Sequence, residues 1–235
     1  MKINIKKNLK LFKDMFVLMD KTGRETNMIF TTEGLSMICT SANVTATKVE
    51  IAKDFFDVYE INGEKEEYAI VIKEICGVIK KLANNEITLD GNKDTLTIIG
   101  DGTRYVAPLL NKAETLESMP EITFEHTLTT TQNALLAGVG KMVLLKNESV
   151  KLFVENKKLI MKSAAQVRKV ETEICDAPDI VAEVFISKKL LGDSLIPSND
   201  DITLSIGNDL PLMFNIEKEG LKIRTVIAPR VAENY

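Results

Sequence analysis

Histidine, cysteine and long apolar runs are scarce in this 235-residue chain, and each scarcity removes a class of function. The one histidine, His126, falls in an alternating segment with no nucleophile or metal-ligand partner near it in sequence, so a structural role is the reading. Cys39, Cys76 and Cys175 are scattered and odd in number. They imply no disulfide framework, fit no metal spacing and point to a reducing compartment. The start, MKINIKKNLK, interleaves lysine with single apolar residues, and no later run is apolar for the length of a membrane span, so an intracellular chain is expected. Walker loops, nucleophile elbows and dinucleotide fingerprints are also missing, and Gly100-Asp101-Gly102 is explained by a hairpin turn. No catalytic residue, metal ligand or cofactor is assigned.

What is present is an ordinary globular composition, with 45% hydrophobic residues, 27% charged residues and a mean hydropathy of +0.01. A chain of this size has room for two cores. The sequence reads as two versions of one unit, residues 1–110 and 123–235, joined by a connector at 111–122. The run Ile29 to Met37, with Gly34 at its corner, is echoed by Leu152 to Met161, with Asn156-Lys157 at its corner; both carry hairpin patterning. Asp94 to Gly100 followed by Thr103 to Leu109 is echoed by Leu210 to Ile216, a turn through Glu219-Gly220, and Leu221 to Val231. Both halves close on Ala-Pro, at 107–108 and 228–229, where a strand no longer needs an N–H.

Apolar spacing of three and four at Leu9, Phe12, Phe16 and Met19 predicts a helix over Lys6 to Lys21, and Ile72, Ile75, Ile79 and Leu82 predict another over Tyr68 to Ala83. An acidic loop is expected around residues 54–67. In the second half, helices are expected over Thr129 to Val139 and Ile186 to Leu195, with strands at 123–128, 149–153, 158–163, 167–175, 201–206, 210–216 and 221–227. The fold class is α+β, two repeats of a helical layer on one face of an antiparallel sheet.

Thirty basic residues face thirty-four acidic ones, for a net charge of −4. The lysines recur on the polar sides of the predicted helices, while many acids fall in loops. A lysine on an amphipathic helix is by default its solvated face; the alternative is a basic surface built from several helices.

Several segments, taken in order, resemble the sliding clamps of the proliferating cell nuclear antigen (PCNA) type, of archaea and eukaryotes. They are Gly34-Leu35-Ser36-Met37 with Val44 beyond, Lys81 to Leu89 with Asp94-Thr95-Leu96, Leu210-Pro211-Leu212, and Leu221-Lys222 through Ile227-Ala228-Pro229-Arg230-Val231. The resemblance covers essentially the whole chain. It implies a homotrimeric ring that encircles duplex DNA, acts as a non-enzymatic processivity factor in replication and repair, and needs a separate clamp loader to open. Cytoplasmic location in an archaeal or prokaryotic host, or nuclear location in a eukaryote, goes with it.

By this resemblance Lys7, Lys10, Lys13, Lys73, Lys80, Lys81, Lys141, Lys188 and Lys189 face the hole and meet phosphates without regard to sequence. Edge-to-edge strand pairing between subunits would use Thr103, Tyr105, Ala107 and Leu109 of one chain and Val170, Thr172 and Ile174 of the next. A polymerase and other proteins with a clamp-binding peptide would dock at Thr40, Asn43, Val44, Ala46, Leu116, Met119, Pro211, Val226, Ile227, Ala228 and Pro229. Leu116 and Met119 also fit a simpler role, pinning the connector to its own sheet. The chain departs from the family pattern at Thr40-Ser41, at Val226, and in the helix at 129–139, which has no basic residue. The alternatives are a subunit that works only in a heterotrimer, a monomeric viral-type processivity factor, and a two-repeat α+β enzyme.

Overall fold

Alternation and helical spacing become secondary structure nearly everywhere in the computed structural model, which describes residues 1–41, 44–82, 84–165 and 167–231. Up to the connector the elements are β1 (Lys2–Ile5), α1 (Leu9–Thr22), β2 (Glu25–Thr31), β3 (Gly34–Ser41), β4 (Thr45–Ala52), a 3-10 turn (Lys53–Phe55), β5 (Val58–Glu60), β6 (Lys65–Val71), α2 (Ile72–Leu82), β7 (Ile87–Gly91), β8 (Thr95–Gly100) and β9 (Thr103–Pro108). Beyond it come β10 (His126–Thr131), α3 (Gln132–Met142), β11 (Ser149–Glu155), β12 (Lys158–Ala165), β13 (Arg168–Asp176), β14 (Glu183–Ser187), α4 (Lys188–Asp193), β15 (Asp201–Ile206), β16 (Leu212–Lys218) and β17 (Leu221–Ile227).

Contacts divide the chain into two units. The first takes residues 1–42, 46–119 and 217–223, and the second 43–45, 120–216 and 224–235. The first holds an antiparallel sheet in the order β5-β1-β7-β8-β9 and a run of strands in the order β4-β3-β2-β6. The second holds a sheet in the order β13-β12-β11-β14 and a run in the order β10-β15-β16-β17.

Each unit closes over a helix pair. The inward stripe of α1 buries Leu9, Phe12, Met15, Phe16 and Met19, with the Phe12 and Phe16 rings edge to face at 5.1 Å. Ile72, Ile75, Cys76 and Ile79 do the same for α2, which lies against α1 and reaches β6, β8 and β9. Each such side chain contributes about 1.5–3 kcal/mol of apolar burial. In the second unit Leu135, Gly138 and Met142 face inward from α3, which packs on β10, β12, β13 and α4. No helix among the described residues is long and apolar enough to cross a membrane.

The two echoed hairpins turn by different chemistry. Gly34 sits at φ 146°, and a Cβ there would meet the Ile51 carbonyl oxygen at 2.0 Å, so only glycine fits. Asn156 and Lys157 take φ 51° and 60°, the successive left-handed pair of a two-residue hairpin turn.

The structure corrects the sequence reading at four places. Tyr68 to Val71 belong to β6, not to the second helix, because β6 pairs along the full length of β2 from Glu25↔Val71 to Thr31↔Lys65. The acidic stretch at 54–67 is not one loop; it contains β5, which pairs with β1, and the start of β6. The third helix starts at Gln132 rather than Thr129, since Thr129 to Thr131 continue β10 against β15 and the Thr131 hydroxyl caps the helix by accepting from the Ala134 N–H. Ile186 and Ser187 end a strand, β14, that the helical reading of 186–195 had absorbed.

Candidate functional site

Three surfaces hold the residues singled out in the sequence: two outermost strands, two pairs of helices, and the connector.

β9 ends its sheet and β13 ends its own, and among the described residues β9 pairs with β8 alone and β13 with β12 alone. On β9 the Tyr105 hydroxyl donates to Glu74 Oε1 of α2 at 2.6 Å. Ala107 is buried, so of the positions expected at a subunit contact, Thr103, Tyr105 and Ala107 on β9 and Leu109 just past it, Ala107 offers no side chain. Thr103 is exposed, and Tyr105 and Leu109 are half-buried. On β13, Val170, Thr172 and Ile174 are half-buried. Thr172 Oγ1 accepts from Lys141 Nζ at 2.8 Å, and α3 approaches so closely at Gly138 that a Cβ there would stand 2.5 Å from Ile174 Cδ1.

The helix lysines fall into two groups. Lys10, Lys73, Lys80 and Lys81 are exposed and Lys13 half-exposed on α1 and α2. Lys7, just before α1, donates to the Asp54 carbonyl at 2.5 Å. In the second unit, by contrast, Lys188, one of the lysines expected to meet phosphates, donates to the Met142 and Leu145 carbonyls at 3.2 and 3.1 Å. It adds a charged donor to the Met142 carbonyl, which also accepts from the Leu145 N–H at 3.3 Å, and reaches the Leu145 carbonyl just past α3, a local use of an ammonium at a helix C-terminus. Lys189 pairs with Asp193 one turn on.

The connector is bound to the first unit by its backbone and one hydroxyl. Leu110 N–H donates to the Ala69 carbonyl at 2.9 Å, Glu114 N–H to Glu25 Oε2 at 3.0 Å, and Thr115 Oγ1 to the Ile38 carbonyl at 2.7 Å. Beside it lies a cleft of about 470 Å³ whose walls include Ile29, Ser36 and Ile38 from β2 and β3 and Thr115, Leu116 and Met119 from the connector. Lys48, Lys65, Glu67 and Glu117 are also among its lining residues. Met119 is 9% exposed and Leu116 39%, so Met119 anchors the connector while Leu116 keeps a free apolar face. Thr40 is half-buried and Ala46 buried.

In the second unit Val44 is exposed and its carbonyl accepts from the Ala228 N–H at 2.8 Å. Of the positions expected at the partner pocket, Val226 and Ile227 are buried at 6% and 0% exposure, Pro211 and Ala228 are half-buried and Pro229 is exposed. Asn43 lies outside the described residues. Pro229 lines a separate cleft of about 530 Å³ with Phe185, Arg230 and Val231. Sequence reading missed Phe185 and Arg230. Arg230 N–H donates to the Phe185 carbonyl at 2.7 Å and its guanidinium reaches Ser149 Oγ at 2.9 Å. The apolar run Val184-Phe185-Ile186, cut at Ile186 by the expected helix, was the available signal of a strand.

No family model matches the chain. Its sequence is similar to the DNA polymerase sliding clamp of Nanoarchaeum equitans, 23% identical over 173 residues that make up 70% of this chain and 69% of that one. Among solved structures, A. fulgidus PCNA bound to the C-terminal region of FEN-1 superposes with a TM-score of 0.88 at 16% identity, covering 99% of each chain. The PCNA2-PCNA3 complex of Sulfolobus tokodaii gives 0.84 at 16% identity over 98% of this chain and 99% of that one. The chain has the PCNA-type sliding-clamp fold. Within this fold the paired helices of each unit and the sheet-end strands β9 and β13 carry most of the residues singled out in the sequence.

Electrostatics at these features is local. Burial alone would raise the Asp57 carboxyl, yet the N–H groups of Lys6 and Lys7, at 2.6 and 3.1 Å, hold it below its usual value ahead of α1. Burial pushes the Cys39 thiol up to about 11, against a smaller opposite effect of Thr22, and leaves it a packing residue.

Proposed function

We propose that this chain is a DNA sliding clamp, a non-enzymatic subunit of a ring that encloses duplex DNA and tethers a polymerase and other replication or repair proteins. One observation carries the reading: β9 and β13, one in each unit, are among the six strands that end a sheet, and among the described residues each pairs on one side alone, whereas β6 is bridged by Leu110, β14 takes the Arg230 N–H and β5 is three residues long. A single edge would make a dimer, whereas two different edges make a head-to-tail contact that closes as a ring or runs on as a filament. Unpaired edges are also a liability that pairing removes.

The second function is docking. The 470 Å³ cleft beside the connector has apolar walls and charged lining residues, the make-up of a peptide hot spot. The similar A. fulgidus protein is seen with the C-terminal region of FEN-1. A peptide at the end of a DNA-processing protein is accordingly the class of partner assigned to Leu116 and its neighbours. Enclosure, rather than affinity, keeps such a clamp on DNA, so its lysine contacts need only be weak and sequence-independent. Opening the ring falls to a separate loader, and the protein works wherever the host keeps its DNA.

Light scattering across a concentration series, followed by retention on closed circular DNA after loading, tests the reading. Three chain masses of 26.2 kDa, stable to dilution, and release on linearising the circle are expected. A monomer at every concentration would remove the homotrimeric ring and leave a heterotrimer subunit or a face-binding factor.

A further inference from the structure

In an antiparallel ladder successive residues turn their N–H and C=O groups to opposite sides, so alternate positions of an edge strand bond the strand already beside them and the rest face away. On the β9 side the Leu109 N–H donates to the Asp94 carbonyl at 3.0 Å, toward β8. Ala107, Tyr105 and Thr103, at steps of two before it, face β8 as well, opposite Leu96, Ile98 and Gly100. The free edge of β9 therefore belongs to Arg104, Val106 and Pro108, and Pro108 has no N–H to give.

The same alternation runs across the sheet of β13. The Val154 N–H donates to the Ala182 carbonyl at 3.0 Å, toward β14, so Lys151 and Phe153 of β11 face β12. Their partners Lys162 and Ile160 face β11 in turn and leave β13 unbonded at those rungs, and the Ala164 carbonyl, on the same side, accepts from Asn147 Nδ2 at 2.6 Å. Opposite Ala164, Lys162 and Ile160 stand Lys169, Glu171 and Glu173, which carry the outward groups of β13. None of these edge residues is among the positions expected at a subunit contact. Arg104 is exposed and has no hydrogen bond or ion pair among the described residues. Glu171 pairs with Lys162 at 3.2 Å, whereas Glu173 stands 3.8 Å from Lys158, whose nearer partner is Asp176 at 2.6 Å.

Resting on the sliding-clamp reading, we propose that β9 of one chain joins β13 of a second copy in the register that sets Arg104 opposite Glu173, Val106 opposite Glu171 and Pro108 opposite Lys169. Outward residues must meet outward residues, so the register moves only in steps of two. One step sets Arg104 opposite Glu171, which Lys162 already neutralises, and the next sets it against Lys169, like charge on like. A step the other way carries Arg104 past the irregularity at Leu159/Ile160. In the proposed register Pro108 ends the ladder, where a missing N–H is tolerated, and Tyr105 falls beside Thr172 on the helix side of both sheets. Arg104 and Glu173 are then the pair that fixes how two copies align.

Assembled mass by light scattering across a concentration series tests the pair with Arg104→Glu, Glu173→Arg and the double variant. Each single reversal sets like charges opposite and is expected to weaken assembly about tenfold, and the double variant to return within about threefold of wild type. Both differences should shrink at about 1 M salt, where the screening length is about 3 Å. Cysteine pairs read the register itself under mild oxidation. Ala107→Cys/Val170→Cys is expected to give disulfide-linked chains, because these positions would stand opposite at a rung without hydrogen bonds, where side chains approach closest. Ala107→Cys/Arg168→Cys, opposite only one step away in register, is expected to give none. Reversals without effect, a double variant as weak as the singles, or linking through Arg168→Cys would overturn the register and leave the clamp reading intact. A wild type that is monomeric at every concentration would remove the homotrimeric ring, and this inference with it.

Discussion

The hydroxyl of Tyr105 on β9 donates to Glu74 Oε1 on α2 at 2.6 Å, tying the outermost strand of its sheet to the helix behind it. The hydrogen-bonded carboxylate pushes the phenol above its ordinary value of 10, because ionising it would place two anions side by side. A raised pKa in the folded state gives stability that is complete below pH 10 and is lost as pH rises through the raised value. Tyr105→Phe keeps the ring and removes the bond. Its melting temperature should sit slightly below wild type at neutral pH, and the gap should close in alkali. Tyr105→Ala, which also removes the ring from the bare edge, is expected to lower the assembled mass at a given concentration.

Lys188 and Lys189 are neighbours with unequal roles. Replacing Lys188 by Met keeps the stem but leaves the Met142 and Leu145 carbonyls without their ammonium donor. A loss of about 1–2 kcal/mol is expected in denaturant unfolding, as a lower midpoint with an unchanged slope. Lys189→Met, which breaks only an exposed pair with Asp193, should stay within about 0.5 kcal/mol of wild type.

Asp57 gathers the N–H groups of Lys6 and Lys7 just ahead of α1. Its pKa is depressed in the folded state, so its contribution is present above the ordinary value of 3.8 and is lost as pH falls through the lower folded value. Asp57→Asn should be less stable than wild type at neutral pH, with the difference shrinking in acid. Thermal melts at descending pH read this directly, and a gap that widens in acid would contradict it.

Leu116 and Met119 share one cleft but differ in exposure. Leu116→Ala is expected to weaken a clamp-binding peptide about tenfold, equivalent to about 1.4 kcal/mol, without changing the assembled mass. Met119→Ala should also speed amide exchange along the connector, since it removes that segment's buried anchor. Loss of the oligomer in either variant would mean that the connector serves assembly instead.

Much of the fold is legible because its signals are local. The α1 stripe, the Asn156-Lys157 corner and the strands β15 and β17 need only the spacing of neighbouring residues. Apart from β5, hidden in the acidic stretch 54–67, errors fell where a strand runs directly into a helix, at Val71/Ile72, Thr131/Gln132 and Ser187/Lys188. At each junction the residue types do not mark the change, apolar through Val71/Ile72 and polar through Thr129 to Asn133, and only a partner strand, β2, β15 or β11, shows where the extended part stops. The candidate surfaces were legible by residue type and not by state. Val226 and Ile227, assigned to a pocket by resemblance, are both buried, and because neighbours on a strand point to opposite faces their burial shows that both faces of β17 are covered there, which no sequence pattern states.

By itself the sequence determined the α+β class, the doubled unit, the amphipathic helices and the absence of recognisable catalytic motifs, since period, turn chemistry and residue supply act over a few residues. Tertiary structure decided which strands are left as edges and which cations are free. Lys188 and Lys189 are indistinguishable in a helical pattern; one is turned inward by carbonyls more than forty positions earlier in the chain, and the other pairs with a carboxylate one turn away. Ammonium groups go to the nearest unsatisfied acceptor, and the folded chain sets which acceptor that is.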